Sequence, residues 1–168
     1  VPTNNNFVAG DLDQLTGLKG DASTKWLNTG LSSTVMSLND TSISVYTTVD
    51  STDINYWLLG NNLFTALRSK GTTFVNGPTA GSTTAVSPTL YGGKRSTSTH
   101  IDVRVNGTTS NFANTSSSIG TENYNLFTYA PGSGSSDARL ATYHIGAALN
   151  LATLETLQDT LISEIAAI

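Results

Sequence analysis

The sequence predicts an all-β fold, a two-sheet antiparallel jelly-roll sandwich with one C-terminal α-helix. Short segments that alternate apolar and polar residues follow one another as far as residue 145, and this is the period of a half-buried strand. Gly, Asn, Asp, Ser and Pro separate the segments. One stretch with apolar residues three and four positions apart closes the chain, at residues 151–168. Many strands and a single late helix favour a sandwich over a fold in which strands and helices alternate.

Length and composition predict one domain, spanning residues 1–168. A chain of 168 residues can bury a core without covalent cross-links. It contains no cysteine, which excludes disulfides and thiolate zinc sites. Only 12% of its residues are charged, about half of the usual share, so Ser, Thr, Asn and Gly must keep the surface soluble.

Charge and hydropathy argue against two classes of partner. The formal net charge is −4, whereas nucleic acid demands a basic patch. No apolar run approaches the roughly 20 residues that span a bilayer. We therefore expect no nucleic-acid binding and no membrane insertion.

The strands are expected after an irregular entry segment, residues 1–22, in which a polar run and glycines interrupt any alternation. The sequence predicts a loop at residues 76–89 and a break in a strand at Gly92-Gly93. The strands are predicted, in chain order, at residues 24–29, 42–49, 54–59, 63–68, 72–75, 90–96, 99–105, 108–112, 124–129 and 138–145.

Two local signals are clearer than the rest. Asn106-Gly107 between two alternating segments predicts a type I′ hairpin turn, because both central residues need positive φ. Asn150 is a good N-cap for the helix that follows. Its apolar stripe is Leu154, Leu157, Leu161, Ile165 and Ile168, widened by Leu151 and Ile162. We expect this stripe to pack on the sandwich, and a helix of another subunit is the alternative partner.

Several motifs, in their order and spacing, resemble a known family. Leu18-Lys19-Gly20-Asp21-Ala22-Ser23-Thr24-Lys25-Trp26-Leu27-Asn28-Thr29-Gly30 resembles the GDGSTKYLdTG opening of certain phage tail and virion proteins, with Ala22 in place of the commoner Gly. A strand like Ile43-Ser44-Val45-Tyr46, a segment like Lys94-Arg95-Ser96-Thr97 and a hairpin like Val105-Asn106-Gly107 follow in that family. Its ending is similar to Tyr143-His144-Ile145-Gly146-Ala147-Ala148-Leu149. From about residue 12 to residue 168, the chain thus resembles the concanavalin A-like, or laminin-G-like, jelly-roll domains of phage structural proteins.

The resemblance implies a viral structural protein on the virion, outside the cell. Its partners would be other virion subunits, a host-surface glycan or a second copy of the chain. One hypothesis is a phage tail or capsid appendage that binds a glycan or receptor. A second is a capsid-decorating assembly module, and a third is a polysaccharide-degrading enzyme. The fold alone does not choose among them.

The strand with His100, Asp102 and Arg104 is the first candidate binding surface. Period two places the three polar side chains on one face, opposite Ile101 and Val103. The pattern is similar to the His-x-Asn-x-Arg strand with which galectins bind galactosides, although Asp stands in place of Asn and the companion Trp-Gly-x-Glu-x-Arg motif is missing. A solvated face with a contact between Asp102 and Arg104 is the alternative.

Aromatic rings and one arginine complete the candidate ligand-binding residues, because rings can stack on sugars. Tyr46 points away from the face of Ile43, and Trp57 follows Tyr56, so that one of those two rings faces outward. Lys94-Arg95, near Tyr91, could bind an acidic sugar, with a solvated loop as the alternative. The candidate set is Tyr46, Trp57, Tyr91, Arg95, His100, Asp102 and Arg104.

Signatures of catalysis and of metal binding are missing, and we expect no enzyme and no cofactor. The chain lacks the Glu-x-Asp-x-x-Glu strand of sandwich-fold glycoside hydrolases and the Gly-x-Ser-x-Gly elbow that would accompany a Ser-His-Asp triad built on His100 or His144. Asp11 with Asp13, and Asp50 with Asp53, could each offer oxygens to calcium, but plain turns explain both pairs.

Overall fold

The structure is a computed structural model that describes residues 2–52, 57–61, 65–68, 70–77, 80–84 and 87–167. The helix α1 spans Leu151–Ala166, after the last strand. The strands, in chain order, are β1 (Thr3–Asn5), β2 (Leu12–Asp13), β3 (Gly17–Lys19), β4 (Trp26–Ser32), β5 (Thr41–Val49), β6 (Trp57–Gly60), β7 (Thr65–Arg68), β8 (Lys70–Val75), β9 (Ala80–Thr84), β10 (Thr89–Arg95), β11 (His100–Val105), β12 (Thr108–Ala113), β13 (Asn123–Leu126) and β14 (Arg139–Gly146).

The strands form two antiparallel sheets. Sheet I has the order β12-β11-β10-β5-β14-β3-β2, and sheet II has the order β1-β4-β13-β6-β7-β8-β9. Within sheet I, β5 lies between β10 and β14, which are distant from it in sequence, as in a jelly roll. The predicted all-β sandwich with one C-terminal helix is confirmed.

The main hydrophobic core lies between the sheets and comes from the predicted alternation. Ile43 and Val45 of β5 are fully buried, and Ile101 and Val103 of β11 pack in the same cluster. Sheet II contributes leucines, including Leu59. The residues between these positions face outward, so burial of one side of each strand decides what the other side presents.

The predicted hairpin is confirmed between β11 and β12. Asn106 and Gly107 both have positive φ, 52° and 71°, as a type I′ turn requires. Val105 pairs with Thr108 across the turn. The hairpin lies at one edge of sheet I.

Three predicted irregular regions contain strands instead. Residues 1–22 include β1, β2 and β3, which are two or three residues long and too short to show an alternating pattern. The expected loop at residues 76–89 includes β9, whose sequence AGSTT carries no apolar stripe. Gly92-Gly93 does not interrupt β10: a Cβ at Gly92 would lie 3.1 Å from Leu151 of the helix, and one at Gly93 would lie 2.7 Å from Val75 of sheet II. The two glycines let the helix and the second sheet approach β10 closely.

The helix begins as predicted but docks through only part of the predicted stripe. The Oδ1 atom of Asn150 accepts hydrogen bonds from the N–H groups of Ala152 and Thr153, at 3.0 and 3.2 Å. Leu151 is 3% exposed against sheet I, whereas Leu157 is 63% exposed and Leu161 is 45% exposed. Much of the stripe therefore faces solvent. No helix in the described part of the chain is long and apolar enough to cross a membrane.

The orientation of α1 predicts unequal effects of two chemically identical substitutions. Leu151→Ala should lower the free energy of unfolding by about 2–3 kcal/mol, because it removes a buried side chain and leaves a cavity. Leu157→Ala should change it by less than about 0.5 kcal/mol, because the side chain already lies in water. Urea denaturation followed by circular dichroism measures both. A larger loss at Leu157 than at Leu151 would contradict the orientation.

Candidate functional site

The polar face of β11 exists as predicted, but its side chains are paired differently. Ile101 and Val103 are buried, while His100, Asp102 and Arg104 face away from the core. Asp102 does not pair with Arg104. Its carboxylate lies 3.0 Å from Lys94 Nζ and accepts a 2.7 Å hydrogen bond from the side-chain amide of Asn111.

Arg104 instead holds the helix. Its Nε and Nη2 atoms both lie 2.6 Å from Oε2 of Glu155, and the two side chains are 13% and 10% exposed. The other carboxylate oxygen of Glu155 accepts the N–H of Gly107 at 3.3 Å. Arg104 thus forms an ion pair within the chain. Both of its nitrogens contact the same carboxylate oxygen, so the pair lacks the bidentate arrangement in which each nitrogen contacts its own oxygen.

Tyr46 makes the second polar contact with the helix. Its hydroxyl donates a 2.8 Å hydrogen bond to Oδ1 of Asp159. Burial, together with the neighbouring Asp159 carboxylate, raises the pKa of Tyr46 to about 12. The helix therefore covers the outward side of β5 that the sequence offered as a binding face, and Tyr46 is 5% exposed.

Tyr91 and Arg95 are buried and do not form an acidic-sugar site. The hydroxyl of Tyr91 donates to Asp50 at 2.8 Å, and burial followed by this hydrogen bond raises the pKa of Tyr91. Arg95 is 0% exposed. Its guanidinium donates to the carbonyls of Val75 and Asn114, at 2.6 and 2.8 Å, and to the side-chain oxygen of Asn114. Burial lowers the pKa of Arg95, whose role is to join the end of β8 to the segment that follows β12 through their carbonyl groups.

Trp57 is buried too, on the outer side of sheet II. It packs edge-on against Phe74 and Tyr129, with ring centroids 5.5 and 4.9 Å apart. The guanidinium carbon of Arg68 lies 3.9 Å from the centroid of its ring. Trp57 therefore belongs to a small aromatic cluster, and its partner in the sequence argument, Tyr56, lies outside the described residues.

Of the seven predicted ligand-binding residues, His100 and Asp102 remain together on an accessible surface. With Lys94 and Asn111 they line a polar pocket of about 230 Å³. Its one cation and one carboxylate already form an ion pair. The other five predicted residues support the fold in the ways just described.

A second pocket, which the sequence argument missed, opens on the outer side of sheet II. Its volume is about 210 Å³, and we call it the amide pocket because Asn28, Asn123 and Asn125 line it, with Tyr129 and Glu122 among its other lining residues. Asn125 lies opposite Asn28 on β4 and opposite Gly60 on β6. A Cβ at Gly60 would lie 2.7 Å from the Cβ of Tyr129, so the glycine lets Tyr129 approach the sheet.

Hydrogen bonds hold the three asparagines in place, and one side-chain oxygen, Oδ1 of Asn125, accepts none of them. The amide of Asn123 donates to Oδ1 of Asn28 at 3.1 Å, and the amide of Asn125 donates to the carbonyl of Asn123 at 3.0 Å. Asn125 is 3% exposed, and its Oδ1 atom has no hydrogen-bond partner among the described residues. A buried acceptor without a donor costs about 1–3 kcal/mol, a cost that a ligand hydroxyl could offset.

A sequence signal for the amide pocket was present. In Asn123-Tyr124-Asn125-Leu126 two asparagines alternate with two apolar residues, and Tyr124 and Leu126 are buried in the main core. Asparagine is a poor strand former, so two of them on one face of a strand point to a role for that face. Asn28 could not be added from the sequence, because it is 95 residues from Asn123.

The candidate calcium ligands are engaged in local hydrogen bonds. Asp11 pairs with Lys25 at 2.6 Å, and Asp13 accepts the N–H groups of Leu15 and Thr16, each at 2.9 Å. Asp50 accepts from Tyr91, and Asp53 lies outside the described residues. Where the structure describes the chain, no three Asp, Glu or His side chains cluster as a metal site would require.

A Ser–His contact occurs on the outer side of sheet I. The Oγ atom of Ser42 lies 3.0 Å from Nε2 of His144, donates to the carbonyl of Ala147 at 2.7 Å and accepts the N–H of Leu149 at 3.2 Å. Ser42 is fully buried. Its hydroxyl thus ties the end of β14 to the segment that enters the helix, and burial lowers the pKa of His144 below its ordinary value of 6.5.

No protein-family model, curated protein or solved structure matches this chain. The motifs described above are thus the basis of the family resemblance.

Arg95→Met tests the structural role of the buried guanidinium. The substitution removes the guanidinium donor from the carbonyls of Val75 and Asn114, and we expect it to lower the free energy of unfolding by about 3 kcal/mol in urea denaturation. Lys94→Met is the matched control on the same strand: it removes a partly exposed ion pair and should cost less than about 1 kcal/mol. An equal fall in the free energy of unfolding of the two variants would show that Arg95 does not hold the end of β8 to the segment after β12.

The burial of His144 predicts how the free energy of unfolding depends on pH between about 5 and 8. Because burial lowers its pKa, the unfolded chain takes up the proton more readily, so the free energy of unfolding should fall as pH drops through 6.5. His144→Gln should flatten this dependence, and His100→Gln, the same change at an exposed ring, should preserve it. Chemical denaturation at a series of pH values measures the slopes. An unchanged slope in His144→Gln would exclude His144 as its source.

Proposed function

We propose that this domain is a non-enzymatic adhesion module of a virion, part of a phage tail or capsid, and that it binds a host-surface glycan in the amide pocket. Two independent considerations support the proposal. The motifs from about residue 12 onward resemble concanavalin A-like domains of phage structural proteins, for which such a role is expected. The pocket on sheet II offers the chemistry of sugar binding. The buried, unpartnered Oδ1 of Asn125 carries the proposal.

The lining of the pocket suits an uncharged sugar. Amide side chains donate and accept hydrogen bonds, as sugar hydroxyls do, and Asn28, Asn123 and Asn125 lie side by side in a region held rigid by the sheet. Tyr129 supplies a ring at the side of the pocket. Glu122 is the one charged residue among its described lining residues. A neutral hexose or N-acetylhexosamine fits this set better than an acidic sugar, which a carboxylate would repel.

The same lining favours binding over cleavage. Glycoside hydrolysis generally uses two carboxyl groups about 5–10 Å apart, one on each side of the bond that breaks. Glu122 has no second carboxyl group beside it among the described lining residues. The pocket would therefore hold a sugar without supplying both the acid and the nucleophile or base.

A second candidate function, assembly with other virion subunits, rests on the helix. Leu157 and Leu161 are one helical turn apart and largely exposed, although the sequence predicts them to be buried. Such a pair suits a contact with a further capsid or tail subunit. Light scattering on the wild type and on Leu157→Lys would detect self-association through this pair.

Asn125→Ala tests the glycan proposal. A glycan array carrying neutral hexose and N-acetylhexosamine oligosaccharides would identify a ligand, and calorimetry would give its affinity. We expect the substitution to weaken binding by about tenfold or more, because it removes the buried acceptor. Because it also removes the hydrogen bond that the Asn125 amide donates to Asn123, we expect the free energy of unfolding to fall by about 1 kcal/mol, which leaves the variant folded.

Asn111→Ala is the matched control, since it removes an asparagine from the polar pocket beside His100 on the opposite sheet. It should leave the affinity unchanged. Loss of binding in Asn111→Ala but not in Asn125→Ala would move the site to β11, and an array without any bound glycan would contradict the proposal.

A further inference from the structure

An open strand edge lies beside an apolar slot at one end of the sandwich. β14 pairs with β5 from Arg139 to Gly146, but with β3 only at Arg139 and Leu140. Within the described part of the chain, no strand pairs with the other side of Tyr143–Gly146. An edge of this kind presents unpaired N–H and C=O groups in the spacing of an extended backbone.

The edge is open because the neighbouring strand turns away at a defined residue. Gly17 has φ of +94° at the start of β3, and a Cβ there would lie 2.1 Å from the carbonyl oxygen of Leu140. The chain can therefore pass this close to β14 only with a glycine, and the hairpin of β2 and β3 ends at this point along β14.

The apolar slot lies beside β14, just beyond the two residues of that strand that pair with β3. Its volume is about 170 Å³, and Leu12, Leu18, Leu27, Leu126, Leu140 and Tyr143 are among the residues that line it. Leu18 and Leu140 come from sheet I and Leu27 and Leu126 from sheet II, so the slot is an opening of the sandwich core between the two layers. An engineered apolar cavity of similar volume, about 150 Å³, holds one benzene molecule.

The rim of the slot is apolar as well. Leu12 is 60% exposed and Tyr143 is 47% exposed, which is unusual for two large apolar side chains at one opening. The slot lies at the start of the open edge, so an occupant meets a pocket for one ring and then an unpaired backbone edge.

We propose that Tyr143–Gly146 is a β-augmentation site, at which an extended segment of a partner protein adds as a strand beside β14. One aromatic or large aliphatic side chain of that segment enters the slot between Leu18 and Leu126. The unpaired edge selects an extended backbone, and the slot selects one apolar side chain. This site lies apart from the amide pocket, and the inference does not depend on glycan binding.

The test uses a capped nine-residue peptide, Lys-Thr-Val-Thr-Phe-Thr-Val-Thr-Lys, titrated into the isotope-labelled protein. We expect the backbone amide signals of Tyr143–Gly146 and the methyl signals of Leu18 and Leu27 to shift in a saturable way. The peptide with Ala in place of Phe should bind at least about tenfold more weakly, because it leaves the slot empty. The peptide with N-methyl groups along its pairing edge should not bind.

Two variants locate the site on the protein. Tyr143→Lys should weaken peptide binding at least about tenfold, since it puts a charge at the rim of the slot. Leu12→Lys, at the opposite side of the rim, gives an independent measurement if the first variant unfolds. Val35→Lys is the matched control, the same kind of change at a similarly exposed residue outside the slot, and should bind like the wild type.

Several results would overturn the proposal. These are shifts confined to β12 or to the edges of sheet II, no shifts with the peptide at millimolar concentration, and shifts caused by free benzene but not by the peptide. Concentration-dependent pairing of two copies through β14, with the peptide unable to compete, would also overturn it, because the partner at this edge would then be a second copy of the chain.

Discussion

The central strands of both sheets must each give one of their two faces to the space between the sheets, and the rest of the fold follows from this. Ile43 and Val45 fill that space from β5, and the leucines of sheet II fill it from the other side. Since side chains alternate along a strand, this burial determines what the outer faces carry. Tyr46 and Arg104 face outward on sheet I, and Asn123 and Asn125 face outward on sheet II. The surfaces available to partners are thus a consequence of how the core is filled.

The outer face of sheet I explains why the helix docks as it does. This face presents a guanidinium and a phenol instead of an apolar patch, so the helix side that complements it must carry acidic groups. Glu155 and Asp159 supply them, and Leu151 adds the one deeply buried apolar contact of the helix. Charge-assisted hydrogen bonds in a half-buried setting are stronger than those at an exposed surface. Leu157 and Leu161 of the predicted stripe are left on the solvent side for the same reason.

The two sheets therefore differ in what they can offer. Sheet I is covered by α1 over part of its outer face, whereas sheet II keeps a pocket that is lined by amides and closed on one side by Tyr129. The open edge of β14 lies at the end of the sandwich, away from both outer faces. A glycan and a partner segment would thus have separate surfaces, as an appendage that attaches to a virion and to a host requires.

Local sequence patterns predict the fold class, the Asn106-Gly107 turn, the Asn150 cap and the alternation of β5 and β11, because each depends on residues that are close in the chain. They do not reveal β1, β2, β3 or β9, since these short strands form only when a neighbouring strand supplies hydrogen bonds. Which polar groups pair depends on contacts between residues that are far apart in the chain. Arg104 meets Glu155 across 51 residues, Asn28 meets Asn123 across 95, and Ser42 meets His144 across 102. Periodicity assigns a side chain to a face, but a partner on another strand or helix determines whether that side chain stays free to bind anything else.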